Sequence, residues 1–424
     1  MQQQGDWYAL GQALKGLRTT RDFKQKEVID RSGERMGERT LRAYEKGEQC
    51  PSRDRLLRLL IRSFEVKNLA ELNRHLRMVG YAVLNDGDAE KLGLHSAAPR
   101  VDRDGHTTPL GFPADFRIEV STLIVTDGQG REIWRHQFPT RLAESAYEQA
   151  GAIKKCTFVD IDGDGGLETL FVCWPINFGS VGATLICFAE DGTIKWQFVP
   201  GKTIRDTRQE YRPPYFISNV QPVPVPQLSL RILVSSNHYL HNPNQIAMLD
   251  TSGRLVSEYW HSGHLLSVVH TDLNGDGVEE ILLAGVNNGY RQATMVIFDP
   301  RYVSGASSQP GRQIFGFPTG TEKTIVLFPK TCLAKNAPYN RAIDLRVTVG
   351  GRIMLVVAEG VSESENPGLM IYELDFGLNV ISARPDSHFQ ESHRVFEEKG
   401  LLDHSWTEEE VEQLRRDVIV KGRL

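Results

Sequence analysis

Two nine-residue stretches, Asp160-Ile-Asp-Gly-Asp-Gly-Gly-Leu-Glu168 and Asp272-Leu-Asn-Gly-Asp-Gly-Val-Glu-Glu280, constrain this chain more than any other feature. Each places an oxygen-bearing side chain at relative positions 1, 3, 5 and 9: Asp160, Asp162, Asp164 and Glu168, then Asp272, Asn274, Asp276 and Glu280. Gly165 and Gly277 follow the third oxygen and allow the bend that makes alternate side chains converge. A hard cation such as Ca²⁺ takes six to eight oxygens at roughly 2.3–2.6 Å. Four side chains, the backbone carbonyl at position 7 (Gly166 or Val278) and water supply such a set. Asp, Asn and Gly also dominate turns that bind nothing. Two copies with one spacing, each leading into an apolar run, favour a cation over that alternative.

An EF-hand begins the same way, but it needs a bidentate Glu at position 12 and flanking helices. Position 12 here is Phe171 or Leu283, and the following runs, Thr169-Leu-Phe-Val-Cys173 and Glu280-Ile-Leu-Leu-Ala284, read as strands. The spacing therefore predicts loops between β-strands. This pattern, with its apolar strand, resembles the calcium-loop repeat of integrin-α-type FG-GAP or VCBS β-propellers. The resemblance covers roughly residues 115–385 and implies a propeller with one metal ion per intact loop, so up to two structural Ca²⁺.

The body also repeats. Val120-Ser-Thr-Leu-Ile-Val-Thr-Asp-Gly-Gln-Gly-Arg-Glu-Ile-Trp134 recurs as Ala183 to Trp196 and as Gln245 to Tyr259, with looser copies at Thr294–Pro300 and Leu369–Asp375. Each copy is an apolar strand, a polar turn and a second strand, which is the outer hairpin of a four-stranded blade. Five copies predict about five blades, or six if one is split between the ends, closed into a ring that hides sheet edges. Trp134, Trp196 and Tyr259 read as packing residues between blades.

Residues 1–84 hold 17 Lys/Arg against 11 Asp/Glu, and the remainder 32 against 43, so a head of net charge +6 precedes a body of net charge −11. That division points to a polyanionic partner for the head alone. The head reads as helical: Leu10, Leu14 and Leu17 share one face, short helices follow at Gln25–Arg31 and Glu38–Lys46, Ser52 opens a fourth, and Asn68–Val79 gives a fifth. Gln25 opening the second helix, Arg39-Thr40-Leu41 with Tyr44-Glu45-Lys46-Gly47 in the third, and Cys50-Pro51-Ser52 before the fourth resemble the repressor-like (XRE/Cro-type) helix-turn-helix family. The resemblance implies that Gln25 and Lys26 meet phosphate or a base edge while Arg39, Thr40 and Arg42 face the major groove of duplex DNA. Glu38 sets a negative charge at the groove-facing start and leaves a second reading open, a helical module that binds protein instead.

The fold class expected is thus multidomain: an all-α helix-turn-helix domain (1–84), a tether without strands (85–110), an all-β propeller (111–386) and a helical tail (387–424) capped by Thr407 and Glu410. No apolar run reaches 18 residues, so no membrane partner is expected. Cys50, Cys156, Cys173, Cys187 and Cys332 are scattered and read as buried thiols, not zinc ligands; with no secretory signal pattern at Met1, a cytoplasmic location is expected. His238, His241, His261, His264 and His270 lack ligand spacing and read as surface or core residues. Without a nucleophile elbow, a phosphate-cradling loop or a catalytic acid pair, the expectation is a DNA-binding regulator-like protein whose propeller binds a protein partner or ligand, not an enzyme. The alternative is a non-DNA scaffold in which both parts bind proteins.

Overall fold

The computed structural model describes residues 7–20, 23–33, 36–64, 66, 72–73, 75–76, 79, 81, 84, 92, 100–101, 107–108, 112–148, 155–226, 229–239, 242–335, 337–348, 350–359 and 368–422. Among the described residues of the head, four helices enclose one apolar cluster. The first (Trp7–Thr20) buries Leu10 and Leu14, the second (Gln25–Ser32) Val28, and the third (Glu38–Glu45) Leu41 and Tyr44. The first and third helices cross closely at Gly11, where an added Cβ would stand 2.5 Å from the Tyr44 carbonyl oxygen. Only glycine allows that approach. The fourth helix (Arg53–Arg58) runs into a π-helical turn (Leu59–Ser63) whose last hydroxyl donates to the Val28 carbonyl at 2.7 Å. Ser52 stands at its N-cap but its side chain makes no capping hydrogen bond, so the sequence expectation is met in position and not in chemistry. Most of the expected fifth helix, 68–79, lies outside the described residues; Leu72, Leu76 and Val79 belong to the head's core.

The expected strandless tether is corrected at four residues: Arg100–Val101 pairs antiparallel with Thr107–Thr108. Strands of two residues are too short to leave an alternating pattern in the sequence. Asp102, Asp104 and the stretch near Ala89 lie outside the described residues.

The rest is a series of antiparallel meanders, five larger sheets among the described residues. Sheet I comprises Pro113–Glu119, Thr122–Asp127 and Glu132–Gln137. Sheet II comprises Cys156–Val159, Glu168–Cys173, Thr184–Phe188 and Ile194–Phe198. Sheet III runs Tyr215–Val223, Arg231–His238, Asn244–Leu249 and Leu255–His261, with Gly305–Ala306 added in parallel. Sheet IV runs Gly263–Thr271, Glu280–Asn287, Gln292–Phe298 and Thr324–Phe328. Sheet V runs Arg341–Val347, Ile353–Glu359, Gly368–Leu374 and Val380–Pro385. The first strand of each sheet packs on the first strand of the next, from I through V, as in a propeller-like array around an axis.

The repeat's aromatic residues set the spacing between sheets. Trp134 of sheet I lies on the turn of sheet II at Gly192, where a Cβ would stand 2.8 Å from the indole. Trp196 of sheet II lies likewise on Gly253 of sheet III and donates its indole N–H to the Thr251 carbonyl at 2.9 Å. Gly192 (φ 83°) and Gly253 (φ 79°) therefore supply a left-handed turn and a bare surface together. Burial follows: the whole second strand of sheet IV, Glu280–Asn287, is buried.

Among the described residues no comparable contact joins sheet V to sheet I, so the closed ring expected from the repeats is corrected to an open succession. The tail also departs from expectation. It holds two helices, Ser387–Glu398 and Glu408–Arg416, the second with the Thr407–Glu410 capping box, but ends in a strand, Ile419–Gly422, paired with Thr324–Phe328 at the edge of sheet IV. Val418 and Leu414 are the end of a helical stripe in sequence; in space they lead into an edge strand whose side chains are exposed, which hides its β character.

Candidate functional site

The acidic loops join the first and second strands of sheets II and IV, as their spacing implies, and share one scaffold. In the first, Asp160 Oδ1 and Oδ2 accept the N–H groups of Gly163 (2.6 Å) and Gly165 (3.1 Å), Asp162 Oδ1 accepts Asp164 N–H (3.3 Å), Asp164 Oδ1 accepts Gly166 N–H (2.8 Å), and Glu168 Oε2 accepts Ile161 N–H (2.9 Å). In the second, Asp272 accepts from Gly275 (2.7 Å) and Gly277 (2.9 Å), Asn274 Oδ1 from Asp276 (2.9 Å), Asp276 from Val278 (2.8 Å) and Glu280 from Leu273 (3.1 Å). The same relative positions pair in both. Asp160, Asp162 and Glu168 each bring a carboxylate oxygen within 4.8 Å of the others.

A lysine reaches the same place in each sheet, one from the fourth strand of sheet II and one from the residue just before the fourth strand of sheet IV. Lys195 Nζ donates to Asp162 Oδ2 at 2.6 Å and Glu168 Oε1 at 2.9 Å. Lys323 Nζ donates to Glu280 Oε1 at 2.9 Å. Three of the oxygens left over by the backbone turns, Asp162 Oδ2, Glu168 Oε1 and Glu280 Oε1, thus meet an ammonium. Sequence reasoning missed both lysines because they lie 27 and 43 residues beyond the glutamates they meet. Burial pushes the Asp162 carboxyl up, but the Lys195 hydrogen bond and charge outweigh it and its pKa falls below the usual value. Burial prevails at Glu168, where the Ile161 N–H and Lys195 offset it only in part and the pKa is raised. In the second loop Asn274 supplies no charge; its Nδ2 lies 3.3 Å from Asp276 Oδ2 and 3.5 Å from Glu280 Oε1.

In the head, Gln25 and Lys26 open the second helix, and Arg39, Thr40 and Arg42 lie on the third, which packs against it. Lys26, Arg39 and Arg42 are exposed; Gln25 and Thr40 are half-buried. A chain of contacts fixes part of this face. Arg18 Nε donates to the buried Glu45 at 2.5 Å, Gln25 Nε2 donates to Glu45 Oε2 at 2.9 Å, and Arg42 Nη2 donates to Gln25 Oε1 at 3.2 Å. Gln25 is therefore tied inward and positions Arg42, a role its place at a helix start did not signal.

The clustered histidines do not converge among the described residues. His238 Nε2 lies 2.8 Å from the Arg212 carbonyl, and His261 is fully buried with Nε2 3.0 Å from the Val286 carbonyl; burial pushes the His261 pKa down to about 4. His270 pairs with Glu279, and His241 lies outside the described residues. All five cysteines are free thiols. Among the described residues no helix is long and apolar enough to cross a membrane.

Neither a family model nor a curated protein matches the chain. Solved structures resemble it at low identity. The Dos1 propeller does so at 11% identity and a TM-score of 0.35, over 68% of this chain and 64% of that one. BamB from Moraxella catarrhalis matches at 14% identity and 0.27, over 65% and 74%. BBS1N, solved in complex with ARL6DN, matches at 9% identity and 0.30, over 66% and 84%. At TM-scores this low the likenesses carry no argument about fold or activity.

Proposed function

We propose that this is a two-part binding protein, not an enzyme: a helical head that engages duplex DNA, and a propeller of about five blades that presents a surface to a protein partner or ligand. The observation that supports the DNA reading is that Lys26, Arg39 and Arg42 are all exposed, with Arg42 held by Gln25 and Gln25 by Glu45, the buried acid of a part-buried ion pair with Arg18. Cations on an exposed face neutralise phosphates and release counterions, and an arginine fixed in direction loses less freedom when its fork meets a base. The body, at net charge −11, repels the same polyanion and leaves the contact to the head.

The acidic loops fit a hard cation in their donor set. Asp160, Asp162, Asp164 and Glu168 would hold one Ca²⁺ with the Gly166 carbonyl, and Asp272, Asn274, Asp276 and Glu280 a second with that of Val278. The lysine already facing each glutamate would turn away to solvent. Such an ion braces the strand that follows and performs no reaction. The DNA reading is tested by fluorescence anisotropy of the full chain on duplex DNA at low salt, against Arg39→Ala plus Arg42→Ala. Retention by the wild type and loss in the variant are expected. No retention at low salt would leave the second reading, a scaffold that binds proteins through both parts.

A further inference from the structure

A separate cluster stands where the tail folds back on sheet V. Cys332 lies in the turn after the fourth strand of sheet IV, His393 on the helix Ser387–Glu398, and His404 in the loop that follows. One ligand atom from each, the Cys332 Sγ and a ring nitrogen of each histidine, lies within 4.8 Å of the other two. The residues are 61 and 11 positions apart in sequence, so no motif announces them.

His393 is the observation that points to a ligand. Its side chain is 1% exposed, its Nδ1 lies 2.6 Å from Glu397 Oε1, and its Nε2 is buried without a hydrogen-bond partner. A buried ring nitrogen with nothing to bond costs free energy, and a metal ion is a natural acceptor of its lone pair. The carboxylate on Nδ1 is the outer partner that metal-binding histidines use to fix tautomer and ring direction. His404 is arranged in kind: Nδ1 lies 3.0 Å from Asp403 Oδ1 and Nε2 3.0 Å from Glu410 Oε1. Ligation through one nitrogen would replace one carboxylate contact and keep the other. The two rings stand 5.5 Å apart at 74°, edge to face, and Trp406 closes the apolar side against His393.

We propose that Cys332, His393 and His404 form a site for a borderline-soft divalent ion of the zinc class. One thiolate and two imidazoles are the donors such ions prefer, with bonds of roughly 2.0–2.3 Å, and donor atoms already this close need only small side-chain shifts to meet one ion. Glu410, at the edge of the cluster, or a water completes the four. Cys332, Asp403 and His404 also line a cleft of about 660 Å³ with Leu333, Phe396 and Leu401, so the fourth position is open to solvent and to a small ligand. Both the tail and sheet IV supply ligands, and the ion would pin one to the other. This departs from the sequence reading of Cys332 as a buried thiol and not a zinc ligand; the thiol is half-buried.

The test is titration of the full-length protein with Co²⁺ under reducing conditions, read by absorption and then by displacement with Zn²⁺. A thiolate-to-cobalt charge-transfer band with the visible bands of a tetrahedral ion is expected, and Zn²⁺ should abolish both. The acidic loops offer only oxygens and cannot give the thiolate band. Cys332→Ser should remove that band, and Glu397→Gln should weaken binding roughly 10–100-fold. Should Cys332→Ser fail to fold, His404→Gln, at a side chain 41% exposed, supplies the comparison and should lower affinity. A wild type with no thiolate band, a band unchanged in Cys332→Ser, or unchanged affinity in His404→Gln would each overturn the site.

Discussion

The head and the body handle charge in opposite ways. In the head the cations stay outside: Lys26, Arg39 and Arg42 are exposed, and the acid that Arg42 reaches through Gln25, Glu45, is buried and paired with Arg18. In the body the acids gather in two loops and the cations turn inward, Lys195 to Asp162 and Glu168 and Lys323 to Glu280. Charge left on a surface acts on partners, with a strong salt dependence. Charge paired at a buried carboxylate acts on folding, because removing one partner strands the other. Changes in the two regions should therefore separate into effects on binding and effects on stability.

The largest expected effect is in the body. Lys195→Met strands Glu168, whose side chain is 4% exposed, and should cost about 3 kcal/mol in chemical denaturation with chelator present. Added Ca²⁺ should recover much of that loss, since a divalent ion replaces the missing charge. Lys323→Met should cost less, because Lys323 meets a single carboxylate. Neither should alter DNA affinity, and a Lys195→Met protein as stable as wild type in chelator would break the distinction.

Next in size, Arg42→Ala should weaken binding to a cognate duplex by about 2 kcal/mol while leaving the melt unchanged. A lower melting temperature with unaltered binding would assign Arg42 to the fold. Smaller still, Asn274→Asp gives the second loop the charge of the first and brings a second carboxylate toward Lys323. It should change stability by under about 1 kcal/mol in chelator and tighten Ca²⁺ binding measured by calorimetry.

An acid outside the loops should act on stability alone, and in a pH-dependent way. Asp250 opens a turn of sheet III; hydrogen bonds from Ser252 and Arg254 outweigh its burial and hold its pKa at about 2, against an ordinary 3.8. Its contribution is thus fully present above pH 3.8 and lost as pH falls toward 2. Wild type and Asp250→Asn should differ at neutral pH and converge in acid, with no response to Ca²⁺ or chelator.

What the sequence made legible was whatever lies within one turn or hairpin. The loop spacing at Asp160–Glu168 fixed five side-chain-to-backbone contacts, repeated at Asp272–Glu280 although Asn274 replaces an acid. The Thr407–Glu410 box and the packing role of Trp134 and Trp196 were equally local in origin. What stayed hidden depends on distant residues meeting: Lys195 and Lys323 on their glutamates, Gln25 on Glu45, and Cys332 with His393 and His404. Ring closure was over-read, since a repeat count says how many sheets form and not whether the last one meets the first. The final strand was missed because its side chains are exposed on both faces, so neither period stands out.

The most direct test of the account is the salt dependence of duplex DNA binding by the full chain. With three phosphates neutralised, affinity should fall about forty-fold between about 50 and about 200 mM salt, and Arg39→Ala plus Arg42→Ala should flatten that slope without moving the melt. Binding that ignores salt, or that survives the double substitution unchanged, would contradict a DNA-binding head.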